Sequence, residues 1–244
     1  MELLHSEIDA FFARKPYELV VETNRGQTEI YVVVKEREGV PVAWSILVGE
    51  IVHNLRSALD QVVSELVIHK TGLPPSADTT RFPIFLTAAD YRSNRGEKVW
   101  LRGVGSTARA IIKAAQPFET GEGRTSPLWH LHELSNWDSH RVIPLVAATR
   151  RSAEGEAVAG EMWGLGIAFE GPLAPDTVLG TVRLTPSNVP LVERMAKVKM
   201  ETKLSCHIAI QEPASVGRPQ VVNGLNVIGA RVAQILERID KTCF

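Results

Sequence analysis

Val42 to Lys70 reads VAWSILVGEIVHNLRSALDQVVSELVIHK, with no proline to interrupt it. Within it Val52, Leu55, Leu59, Val62, Val63 and Leu66 recur with a helical period. With Val52 at zero and about 100° per residue, these six side chains fall between about −80° and +20°. The spacing predicts one long helix, about residues 42–70, with a single apolar stripe, stopped by Thr71-Gly72 and Pro74-Pro75. His53, Arg56 and Asp60 lie at about 100°, 40° and 80°, along the edge of that stripe. Asn54, at about 200°, points to solvent. Gly49, at about 60°, leaves room for a substrate or for a close helix neighbour.

Outward from this helix, Leu3, Leu4, Ile8, Phe11 and Phe12 predict a helix over residues 2–14, ended by Pro16. Tyr17, Leu19 and Val21, then Ile30, Val32 and Val34, alternate with their neighbours. Asn24-Arg25-Gly26-Gln27 lies between them, and the set reads as a β-hairpin whose glycine supplies a positive φ. Thr87-Ala88-Ala89-Asp90 has the form of a capping box. A helix is expected over 106–116, before Pro117, followed by the loop Glu119–Arg124 as a candidate rim. Ser126 and Pro127 open a further helix bearing Leu128, Leu131, Leu134 and Trp137. Continued regularly, it brings Asp138 and Arg141 onto the Leu131/Leu134 face. Ions there need partners, because an unpaired charge facing a core costs several kcal/mol, and Arg56 and Asp60 are the expected ones.

The later half alternates instead. Trp163, Leu165, Ile167 and Phe169 mark one strand, Val178, Val182 and Leu184 a second, and Met200 through Ile210 a third. Cys206 lies on the apolar register of that last strand, as a small buried hydrophobe. Val221, Leu225, Ile228, Val232, Ile235 and Ile239 step by four and three, giving a C-terminal amphipathic helix. The order predicts a single α+β domain over 1–244, with an antiparallel sheet packed against a helical layer. Its helical, motif-bearing part is about 40–145, and its sheet plus C-terminal helix about 146–244.

Composition sets outer bounds. With 27 basic and 28 acidic residues the net charge is −1, so no global field draws the chain to nucleic acid or to an anionic membrane. RNA binding would need a local patch. Hydrophobic content of 44% suits a folded domain. The first residues carry acids where a secretory signal carries lysine or arginine, and no apolar run approaches the roughly 18 residues of a membrane span. A cytoplasmic protein is expected. With Cys206 and Cys243 as the two cysteines, neither a disulfide framework nor a thiolate zinc site is expected.

The chemistry-bearing residues form two clusters: His53, Arg56 and Asp60 on the long helix, and Asp138, His140 and Arg141 about eighty residues later. Arginines hold phosphate or carboxylate oxygens in a bidentate manner. Either histidine can exchange a proton near neutral pH, and either aspartate can orient it. Facing each other across one cleft, the clusters would make a hydrolase of a small anionic, phosphoester substrate. The rival reading is a non-catalytic binding or assembly protein, in which the charges are structural ion pairs and the C-terminal seam serves a homodimer. No cofactor is implied. His53, Asp60, Asp138 and His140 would suit a divalent metal, but the adjacent arginines oppose a cation. His130 and His132, two apart, diverge by about 160° on a helix and make poor joint ligands.

The string His53-Asn54-Leu55-Arg56-Ser57-Ala58-Leu59-Asp60, with Leu134 to Arg141 after it, resembles a group of bacterial proteins of unassigned activity. The likeness covers about residues 40–145. A weaker similarity is to the HEPN superfamily of helical ribonucleases, whose motif places a histidine four to six residues after an arginine. Gln61 stands here where that histidine would fall, and the predicted sheet departs from an all-helical fold.

Overall fold

The computed structural model describes residues 1–26, 28–75, 80–93, 96–139, 141–149, 153–154, 166–167, 171–183, 206–211, 216 and 219–244. It divides into two compact units: residues 2–41 with 146–209, and residues 42–145 with 210–244 and Met1. The single domain read from the sequence is thus two units, each made from separated stretches of chain.

In the first unit, helix α1 (Glu2–Ala13) buries Leu4, Ile8 and Phe11. Strands β1 (Tyr17–Thr23) and β2 (Glu29–Glu36) form the expected antiparallel hairpin, with Tyr17 opposite Glu36 and Thr23 opposite Ile30. Its turn is not made by a positive-φ glycine, since Gly26 is not in that region. Instead the Asn24 carboxamide oxygen accepts the amides of Thr28 and Glu29, at 2.8 and 3.2 Å. This is the side-chain route to a turn that favours asparagine. Gln27 lies outside the described residues.

Strand β3 (Leu145–Thr149) is flanked by β6 (Gly171–Pro172) and β8 (Cys206–Ile210), while β4 (Ala153–Glu154) pairs antiparallel with β5 (Gly166–Ile167). Strand β7 (Val178–Arg183) pairs with the free side of β2, and the register slips between Val32 and Val33. The extra residue at that slip is Leu179 of β7. Strand β2 keeps one register with β1 throughout, and Val32, Val33 and Val34 are all buried, so both of its faces are covered there. Trp163, Leu165, Phe169, Leu184 and Met200 to Leu204, expected in strands, lie outside the described residues. Cys206 is half-buried, and burial pushes its thiol up to about 11.

The second unit is built on α2 (Val42–Thr71), which buries Val48, Val52, Leu59, Val63 and Leu66 along the predicted stripe. Short elements follow: α3 (Ala88–Arg92), a π-helical turn at Gly96–Trp100, α4 (Ser106–Ala114) and α5 (Pro117–Thr120). Thr87 caps α3 as its sequence predicts, its hydroxyl accepting the Asp90 amide at 3.1 Å. Helices α6 (Pro127–Asp138) and α7 (Val221–Cys243) pack on α2 and on each other, and α4 packs on α7. The C-terminal helix therefore belongs with the helical unit and not with the sheet. Its seam, Leu225, Ile228, Val232, Ile235 and Ile239, is buried there. The two places where this unit gives way to residues 146–209 lie side by side, because the Gln211 amide donates to the Pro144 carbonyl at 3.0 Å. Among the described residues no helix is long and apolar enough to cross a membrane.

Candidate functional site

Arg81 to Leu86 belongs to no helix or sheet, so its backbone groups need partners from side chains. Asp60 and Arg56 supply two of them: Asp60 Oδ1 accepts the Phe82 amide at 2.8 Å, and Arg56 Nη2 donates to the Phe82 carbonyl at 2.7 Å. Gln116, fully buried, supplies two more. Its Nε2 donates to the Pro83 and Ile112 carbonyls, and its Oε1 accepts the Phe85 amide at 3.1 Å. The segment is thereby fixed along α2.

Between this segment, α2 and α6 runs a cleft of about 540 Å³, within the range of small-molecule sites. From α2 it takes His53, Arg56, Ser57 and Asp60; from the fixed segment, Arg81 and Phe85; from the π-helical turn, Trp100; and from α6, Trp129, His132 and Asn136. Arg56 makes a bidentate pair with Asp60 across one turn, Nε to Oδ2 at 3.2 Å and Nη2 to Oδ1 at 2.9 Å. The Arg56 side chain is 14% exposed. Burial draws its pKa down from the ordinary value; Asp60 opposes this, and the charge of Arg81 adds to it. The third nitrogen, Nη1, is buried without a hydrogen-bond partner, as is the indole Nε1 of Trp129.

His132 is half-buried and stays below the ordinary imidazole value, first through burial and then through Arg56 and Arg81. The Asn136 amide nitrogen, 3.0 Å from its Nε2, has hydrogens alone to offer, so Nε2 accepts and the ring proton sits on Nδ1. His53 is exposed at the mouth, its Nε2 3.5 Å from Ser57 Oγ. The Arg81 guanidinium lies over the Trp100 ring at 5.9 Å, and Trp100 stacks on Phe85.

The second sequence cluster does not join this recess as a group. Helix α6 ends at Asp138, so Arg141 does not continue round to the core face. It is exposed, lies over the Trp137 ring at 5.3 Å and lines no cavity described here. The partner expected for Arg56 and Asp60 is thus each other. Asp138 fits instead against Gly49, where a methyl group would overlap its carboxylate. It borders a neighbouring hollow of about 460 Å³ with Glu50, His53 and Asn54, and Asn54 is exposed there as expected. His140 lies outside the described residues.

Sequence reading does not single out Arg81, Trp100 or Trp129 and weighs His132 only as a metal ligand beside His130, although α6 carries a signal. Trp129, His132 and Asn136 fall within about 60° of one another on its wheel, opposite the leucines. Among the described residues no group of three or more His, Cys, Asp or Glu side chains is placed to hold a metal ion. The chain matches no protein-family model, no curated protein and no solved structure.

Proposed function

We propose that the cleft binds a small anionic phosphoester and hydrolyses it. One observation carries the reading: a buried guanidinium nitrogen, Arg56 Nη1, without a protein partner on the wall of a cleft that also holds Arg81. Two guanidinium groups at one wall suit phosphate oxygens, on which negative charge grows during displacement at phosphorus. Asp60 has both oxygens engaged by Arg56 and Phe82, so its part is to aim Arg56 and not to orient a histidine. His53, reachable from solvent and beside Ser57, is the group that takes a proton from an attacking water. Neutral His132 is a hydrogen-bond donor through Nδ1.

The test uses the purified chain with a panel of phosphomonoesters and phosphodiesters, including short RNA. His53→Ala is expected to lower kcat by about 10²–10⁴, the usual contribution of a general base, and Arg81→Ala to raise KM. Undiminished turnover in both variants, or none in the unaltered protein, overturns hydrolysis. A second reading, binding without turnover, is favoured by the full engagement of Asp60. Saturable phosphoester binding without product would establish it.

A further inference from the structure

We infer that the anion taken by this cleft is the ester of a planar aromatic group, bound with its phosphate toward Arg56 and Arg81 and its ring among the cleft's tryptophans. The inference rests on the reading of the cleft as an anion site. Three of the cleft's sixteen lining residues, Phe85, Trp100 and Trp129, are aromatic with surface left open, against 6% aromatic residues in the whole chain. An inorganic anion, or the phosphate of an aliphatic ester, needs the guanidinium groups and has no use for these rings. A flat ring does, because it stacks on aromatic faces and meets their edges with complementary charge.

The rings are also held in place. Phe85 lies on the segment fixed by Asp60, Arg56 and Gln116, and it stacks on Trp100 at 5.6 Å between centroids and 19° between planes. Trp129 sits on α6 and tilts against His132 at 5.0 Å. A preformed aromatic wall loses little freedom when a ligand arrives. Trp100 and Trp129 are each half-buried, so part of each ring remains open on the cleft. A long polyanionic strand is a poorer fit, because the net charge is −1 and Asp90 stands on the same cleft.

Phenyl phosphate and cyclohexyl phosphate share six ring carbons and one phosphate but differ in planarity, so their comparison isolates the ring. Calorimetric titration of the full chain should give phenyl phosphate an affinity about tenfold or more above cyclohexyl phosphate, the scale of one stacking contact. Adenosine 5′-monophosphate, run in parallel, shows whether a nucleobase or a simple aryl ring is preferred. Trp100→Leu should remove the aromatic advantage, bringing the ratio of phenyl to cyclohexyl phosphate affinity to about one. Far-UV circular dichroism verifies that the variant folds. Equal affinity for the two esters, or an advantage that survives Trp100→Leu, overturns the inference and leaves the anion site standing. If neither ester nor inorganic phosphate binds, the anion site itself falls.

Discussion

Gly49 sits in the middle of α2 where alanine would ordinarily favour the helix by about 1 kcal/mol. The Asp138 carboxylate occupies the space a methyl group would need, and overpacking costs about 1–3 kcal/mol. Crowding exceeds propensity, so Gly49→Ala should lower the urea midpoint. Adding Asp138→Gly to that variant should restore part of the loss; a double variant no better than Gly49→Ala would refute the contact. His132 gives a residue-scale expectation of a different kind. Burial and the two arginines hold it below 6.5, so between its folded and unfolded values the unfolded chain binds more protons. Its contribution to stability is complete above pH 6.5 and is lost as pH falls through the lower folded value. His130, lowered by burial too, acts in the same direction. Urea midpoints measured at about pH 7.5 and 5.5 should drop on acidification, and His132→Gln should flatten the drop. An unchanged slope in that variant would place the proton uptake elsewhere.

At the scale of elements, the segment Arg81–Leu86, outside any helix or sheet, is tied down by three side chains, Arg56, Asp60 and Gln116. Gln116→Ala would strip partners from the Pro83 carbonyl and the Phe85 amide, and each buried unsatisfied group costs about 1–3 kcal/mol. Hydrogen exchange should show the Phe85 amide losing protection ahead of the α2 amides, and equal protection in both proteins would deny the clamp. This element also marks where sequence reading stops. Helix α2, the hairpin, the Thr87 cap and the α7 seam were legible, because period and capping chemistry are local. The site was legible in half: Arg56 and Asp60 stood out on α2, while Arg81 and Trp100 lie in stretches without period, the first on a segment tied down by Arg56, Asp60 and, from about thirty residues away, Gln116, the second stacked on Phe85 of that segment. No local pattern encodes such a tie. Arg141 misled for a related reason, since extending α6 past Asp138 was assumed and the helix stops there.

The whole molecule interleaves its units, so the helical one is completed only when α7 returns to bury Leu225, Ile228 and Ile235 against helices that precede residues 146–209 in the chain. A chain in which residue 145 runs into residue 210 through a short Gly/Ser linker, starting at Val42, should retain helical circular dichroism and a cooperative thermal transition. Loss of both would mean that the helical unit cannot stand without residues 146–209. The hydrogen bond from Gln211 to Pro144 gives the reason to expect success. A long excursion that leaves a scaffold and comes back through one doorway imposes no separation on its host. Shortening it about tenfold should lower the entropy of ring closure by roughly 2 kcal/mol. By the same geometry that doorway is a graft point: another module whose termini lie a few ångströms apart can be spliced there without moving the helices that frame the cleft.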